Sequence, residues 1–186
     1  MELRDAINGR RSTRDFTAQA VDDGAIRRLI DAAVNAPSAS NGQEWTFTVV
    51  RDQGLLDRIS EAAKAHMLTI LPAGPQSDRR RTTLSDPAFH VFYHAPALIL
   101  IAGTTPAPWV VEDCALAAQN LMLAAYGEGL GSCWIGYAQR YLESPEGKDA
   151  LGLPAASVPV APIIVGHPTT IPAPVARKEP EIRWVG

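Results

Sequence analysis

Arg10, Arg11, Ser12, Thr13 and Arg14 occupy five consecutive positions in the stretch RRSTRDF, Arg10–Phe16. Forked guanidiniums and a hydroxyl beside a helix terminus form a receptor for a phosphate dianion, because charge-assisted bonds converge there from a fixed direction. A short helical start, Met1–Asn8, broken by Gly9, supplies that terminus. Such a run is not specific by itself, since a basic cluster of this length is as often a solvated surface loop. A second polar stretch, Ala36–Phe47 (APSASNGQEWTF), follows after an amphipathic segment.

The other reactive residue types are weaker. Cys114 and Cys133 each lie in an apolar stretch and read as buried thiols, neither a disulfide framework nor a metal site. His66 falls near a helix end, His90 in a loop, His94 before Ala95-Pro96 and His167 in the tail. No pair is read at metal-ligand spacing and no acid obviously orients them, so no metal is expected. A G-x-S-x-G nucleophile elbow is missing from the sequence. Gly127, Gly129 and Gly131 hint at a dinucleotide fingerprint, but that motif follows a strand and opens a helix. Here a helix precedes and a strand follows, so a helix stop and tight turn is the better reading. No side chain is assigned as catalytic.

These residues need elements to position them. Residues 2–9 carry Leu3, Ala6 and Ile7 at helical spacing. Asp22 is a good N-cap for a second helix, whose apolar face is Ile26, Leu29, Ile30 and Ala33, and Pro37 ends it. Trp45–Val50 alternates as a strand, and Leu55–Ala65 is amphipathic. Residues 70–90, with Pro72, Pro75 and Pro87 and the basic Arg79–Arg81, show little periodicity and read as a loop. A mobile lid over about 66–92 is expected there. Ala97–Ala102 is a short buried strand after Pro96. Trp109–Tyr126 is a helix apolar on nearly every face, fit for a core or a subunit interface. Gly131–Tyr137 reads as strand and turn, and Tyr141–Ala150 as a weaker helix. Val158–Val165 is a strand that Pro159 and Pro162 assign to an edge. The proline-rich residues 167–186 form an extended arm.

The bulk numbers bound the class. A chain of 186 residues fits one domain, 1–186, and 46% hydrophobic with 20% charged residues is an ordinary globular balance. A net charge of −3 argues against a general nucleic-acid binder. No apolar run approaches the ~18 residues of a membrane span, and no cleavable signal is read, so a cytoplasmic location is expected.

Five motifs in order resemble those of the nitroreductase family of FMN-dependent oxidoreductases: RRSTRDF, APSASNGQEWTF, HAPALILI (His94–Ile101), DCALAAQNLMLAA with GLGSCWIG (Asp113–Gly136), and VPVAPIIVGHP (Val158–Pro168) with the tail around Arg177. The resemblance implies an α+β fold, with a mixed, largely antiparallel sheet flanked by helices. It implies a homodimer whose FMN sites are shared between subunits, NAD(P)H as transient electron donor, and a small electron-poor acceptor. Residue by residue, it implies Arg10 and Ser12 on the phosphate and Arg14 on the pyrimidine edge, with Arg11 contributing by its backbone or simply exposed. Pro37, Ser38, Ala39 and Asn41 match the loop offered to the opposite subunit, and Ile135 and Gly136 the turn facing flavin N5. Arg177 matches the basic residue that closes on the phosphate. Glu44 replaces the proline usual before the tryptophan of the second motif. Relatives that dehalogenate or fragment reduced flavin share the fold, and a flavin-binding module without turnover is the alternative of another class.

Overall fold

The computed structural model describes residues 2–186, Gln76 by its backbone alone, so Met1 of the expected helical start lies outside the described residues. Four strands form one antiparallel sheet: β1 (Trp45–Val50), β2 (Ala97–Gly103), β3 (Gly131–Trp134) and β4 (Val158–Gly166), in the order β1-β2-β4-β3. Every residue of β2 is buried, yet its side chains still alternate. Ala97, Ile99 and Ile101 enter one core; Leu98, Leu100 and Ala102 enter the other. A strand reads as unbroken hydrophobic sequence when helices cover both sheet faces.

The first core is closed by α2 (Asp23–Val34) and α5 (Val110–Gly127), the second by α3 (Gln53–Ile70) and α6 (Gly136–Leu142). Asp22 caps α2 as the sequence indicates, its carboxylate accepting from the Ala25 amide at 2.8 Å. Before it, α1 (Leu3–Gly9) stops where Gly9 meets the Tyr126 side chain so closely that a Cβ would lie 2.1 Å from its Oη.

The expected α+β fold with a largely antiparallel sheet stands: the four strands pair antiparallel, and the one parallel contact among the described residues is an isolated bridge from Ser12 to Ser132. Three expectations change. Residues 70–90 are not a loop: α3 runs on to Ile70, and α4 (Pro75–Ser85) follows with Pro75 in its first turn. Pro72, Pro75 and Pro87 thus flank or open helices, a role a missing N–H permits. Because α4 is polar apart from Pro75 and the buried Leu84, it carries no hydrophobic period to read. Arg79–Arg81 lie on this helix, and Arg81 donates to the Leu68 and Leu71 carbonyls at the end of α3. Beyond it the turn at 86–94 is fixed by three side chains on one face of α3. Lys64 donates to the Asp86 and Phe89 carbonyls, Ser60 accepts from the Val91 amide at 2.9 Å, and Asp57 meets His90. Val91 and Phe92 are fully buried.

The expected helix Tyr141–Ala150 is two, α6 and α7 (Pro145–Ala150), with Ser144 capping the second through the Gly147 amide. Finally, β4 lies inside the sheet rather than at its edge. Its prolines survive because β3 pairs only with Ile163–Gly166. The Pro162 carbonyl accepts from Ile135 just past the end of β3, so the donorless ring nitrogen on that same side leaves no ladder bond unmade. Pro159 sits beside a bulge at Val160, where the β2 register shifts. The apolar helix α5 buries Cys114, Ala117, Ala118, Leu121 and Ala125, but leaves Val111 and Leu116 about half exposed (52% and 45%).

Candidate functional site

Residues 10–14 form a ledge alongside β3. The Thr13 amide donates to the Ser132 carbonyl at 3.0 Å, and Thr13 is buried against Gly131, where a Cβ would lie 2.7 Å from its Cγ2. Strand alternation around this buried pin turns Ser12 and Arg14 outward. The Cys133 thiol registers the resulting face. Burial pushes its pKa up, while Arg14, a hydrogen bond from Ser12, and Arg10 pull it down. In extended chain the same alternation carries Arg10 to the side of Ser12 and Arg14, with Arg10 bordering one cavity and Arg14 another.

Arg11 faces back. Its Nη1 donates to the Asn8 and Arg10 carbonyls at 2.7 and 2.9 Å, covering the C-terminus of α1 where a cation suits the dipole. Its buried Nε has no partner among the described residues.

Next to the ledge lies a cavity of about 350 Å³, reached by Arg14 on one side and by Ile135 and Gly136 on another. Tyr93, Trp134 and Tyr137 give it aromatic walls. Phe89 holds Tyr93 and Tyr137 edge-on, with centroids at 5.6 and 6.1 Å. The Arg14 guanidinium stands 5.9 Å from the Tyr93 ring centre, within cation–π range. Burial raises the Tyr93 hydroxyl pKa against the pull of Arg14. Tyr93 and His94 both have φ of 52°, a left-handed conformation costly for residues with a Cβ. The pinned turn sustains that strain beside the cavity. Of the two turn residues, Ile135 already donates its amide to Pro162 at 2.8 Å. Gly136 opens α6, so its amide has no acceptor within the helix.

Behind Arg10 is a smaller cavity, about 180 Å³, bounded by Arg11, Tyr126 and the start of the C-terminal arm at Pro168, Ile171 and Pro172. The arm is tied to the ledge by a Phe16–Pro168 bridge and by the Thr17 amide on the His167 carbonyl at 2.9 Å. It then runs on exposed, and Arg177 lines neither cavity.

Pro37–Asn41 lies elsewhere. The Ala39 amide donates to the Asp113 carboxylate at 3.0 Å, in the first turn of α5. Pro37, Ser38 and Ala39 line a shallow concavity with the exposed Trp109 and Leu116. Asn41 is exposed, has φ of 55°, and accepts from the Gln43 amide side chain at 3.0 Å. The ledge sits near Tyr126, in the last turn of the same helix. Asp113 to Tyr126 at 1.5 Å per residue is roughly 20 Å. Within one copy, the expected residues form two groups at opposite ends of α5.

Sequence reasoning missed one cluster. His90 and His94 are four residues apart, a spacing visible in the sequence, and Asp57 joins them from α3. His90 Nε2 is 3.1 Å from Asp57 Oδ1, and its ring stacks on His94 at 4.2 Å. His90 Nδ1 accepts from the Phe92 and His94 amides at 3.2 and 3.4 Å, which fixes the tautomer. Nε2 therefore carries the proton and donates to Asp57, leaving no lone pair on His90 for a metal. The cluster is a structural clasp on the turn beneath Tyr93. The Cys114 thiol is inert, since burial pushes it up to about 12, whereas Cys133, also raised by burial, borders the larger cavity.

Known proteins resemble this chain in sequence and in fold. The sequence model of the nitroreductase family matches residues 7–167. A candidate NADH dehydrogenase/NAD(P)H nitroreductase of Archaeoglobus fulgidus is 31% identical over 162 residues, 87% of this chain and 83% of the relative. A nitroreductase with bound FMN from Bacteroides fragilis superposes with a TM-score of 0.86 at 25% identity, over 100% of both chains. An iodotyrosine deiodinase bound to FMN and 3-iodo-L-tyrosine gives 0.82 at 25% identity, again over 100% of both.

Proposed function

The chain belongs to the nitroreductase family, and from that premise we propose that it is an FMN-dependent oxidoreductase drawing electrons from NAD(P)H. Its acceptor would be a nitroaromatic, a quinone or a similar electron-poor molecule. One observation carries the reading. Ser12 bridges Ser132, and two residues further along β3 the chain enters the aromatic cavity at Trp134. A planar heterocycle joined to a phosphate needs a cation ledge and an aromatic cavity side by side.

The donor set fits FMN. Arg10 and Ser12 offer a phosphate charge-assisted and hydroxyl donors from one face. Arg14 brings a cation to the cavity, suited to charge accumulating near N1 and O2 of a reduced flavin. Gly136, with its amide uncommitted within α6, is the better donor toward N5 than Ile135, whose amide is engaged. Arg11 supports the ledge from behind, and Arg177 belongs to the arm. When bound, FMN would supply the two-electron chemistry, a hydride taken from NAD(P)H and passed to the acceptor in alternation. No carboxylate or histidine lines the cavity among the described residues, so the chain orients and shields rather than delivering a proton from a dedicated acid.

We assign Pro37, Ser38, Ala39 and Asn41 to the site of a second copy. Their separation along α5, the exposed Trp109 and Leu116 beside them, and an arm that leaves Ile182, Trp184 and Val185 in solvent all support a homodimer with shared sites. No helix among the described residues is long and apolar enough to cross a membrane. Buried free thiols suit a cytoplasmic setting.

Purified protein should show flavin absorption, release FMN on denaturation, and oxidise NAD(P)H with a nitroarene or quinone. FAD as the released cofactor, or bound FMN without turnover, overturns the proposal. The deiodinase likeness favours one second reading, reductive dehalogenation at the same cavity. Halide release from a halophenol under reducing conditions distinguishes it.

A further inference from the structure

The cavity holds two arginines and no carboxylate among the described residues, in a chain whose net charge is −3. One of them, Arg14, comes from the ledge and is accounted for by the cofactor. The other, Arg80, comes from α4 and is not. Three consecutive arginines on α4 are divided by its geometry. Ser77 and Leu84 are buried and Arg81 is fixed to the carbonyls ending α3, which sets the inward face of the helix. Arg80 flanks that face on the cavity side, and Arg79 is exposed. Arg80 is exposed and makes no ion pair among the described residues, so its planar fork is available to a ligand. Tyr93, Trp134 and Tyr137 line the same cavity, and with the flavin ring held against them an acceptor's flat ring would stack on the flavin beside Arg80. An arginine fork pairs best with a carboxylate or a phosphate, two bonds at once.

We propose that Arg80 is a specificity residue that holds an anionic group, foremost a carboxylate, on an aromatic acceptor entering the cavity. This rests on the oxidoreductase reading above. In a protein of net negative charge, the local positive potential steers such an acceptor to the cavity against the overall field. The other anion able to reach Arg80 is the diphosphate of the nicotinamide dinucleotide.

The test compares 4-nitrobenzoate with its neutral methyl ester on FMN-loaded wild type, Arg80→Gln and Arg80→Lys, alongside KM for NADH and NADPH. Wild type should favour the carboxylate. Arg80→Gln should lower kcat/KM for 4-nitrobenzoate about tenfold, as loss of a charge-assisted pair implies, and leave the ester unchanged. Arg80→Lys should recover part of the loss, and added salt should erode the preference. Equal losses for both acceptors, or a change confined to KM for the dinucleotides, overturns the proposal. Calorimetric binding of 4-nitrobenzoate to the same three proteins gives a reading that needs no turnover. Turnover absent but binding weakened about tenfold in Arg80→Gln would refute the oxidoreductase reading and sustain Arg80 as an anion site. Binding unchanged in Arg80→Gln would remove it.

Discussion

Arg10 borders a cavity formed with the start of the arm, two residues before Ser12 on the ledge. Replacing it with alanine removes a charge-assisted bond worth roughly 1.5–3 kcal/mol. FMN affinity should fall about ten- to hundredfold while riboflavin affinity stays level, by fluorescence titration of the apoprotein. Equal weakening of both would mean that Arg10 supports the fold instead. His90 makes a second prediction, in pH. Burial first, and His94 second, hold its pKa below the ordinary 6.5, against the pull of Asp57 and Glu61. The unfolded chain therefore binds the extra proton more readily, so the stability gained from neutral His90 is complete above about 6.5. It is lost as pH falls through the lower folded value. Protonation would also end the bond from the Phe92 amide. Urea midpoints should drop between about pH 7.5 and pH 5, and His90→Gln should flatten that drop. An unchanged slope in the variant would assign the pH dependence to other groups.

Among the elements, the ledge depends on how closely β3 lets it approach. Gly131→Ala would drive a methyl into Thr13 at both its Cγ2 and its Oγ1. The overpacking should cost about 1–3 kcal/mol and weaken FMN, although residue 131 belongs to the support and not to the phosphate-binding face. Gly127→Ala, where a Cβ meets nothing within 4 Å, is the control and should be near neutral. Normal FMN affinity in Gly131→Ala would show that the ledge tolerates displacement. Helix α4 offers the complementary case. Leu84, 1% exposed, is its one large anchor. Leu84→Ala should loosen α4 from α3 and change acceptor KM while the flavin spectrum persists. Loss of flavin would instead place α4 among the elements that hold the cofactor.

For the whole molecule, the separation along α5 makes the strongest prediction. If Pro37–Asn41 of one copy completes the ledge and cavity of another, Arg10→Ala and Asn41→Ala damage the same site from different chains. A heterodimer of the two then holds one doubly damaged site and one intact site. FMN binding and NAD(P)H oxidation should reappear in the purified heterodimer, to about half the wild-type level, where each parent homodimer is deficient. Removal of FMN should also promote dissociation on dilution, because a ligand bound only by the dimer stabilises it by mass action. A flavin-bound monomer at nanomolar concentration, or no recovery in a verified heterodimer, would end the shared-site reading.

Local pattern carried much of this chain. Asp22 caps its helix, Trp45–Val50 and Ala97–Ala102 lie in strands, and Arg10–Arg14 is a cation cluster, because each depends on neighbours a few residues away. Helix α4 escaped since a polar helix has no apolar stripe, and β4 was misplaced since proline content does not say where β3 stops. Only the tertiary structure committed the Arg11 guanidinium to the Asn8 and Arg10 carbonyls at the end of α1. It alone joined Asp57 to His90 across 33 positions. It also set Pro37–Asn41 and Arg10–Arg14 at opposite ends of α5, a distance fixed by the rigid rise of a helix and by which segments dock at its two ends. Side-chain periodicity is written in consecutive residues. Which groups meet is decided by contacts that close long stretches of chain, and those have no local signature.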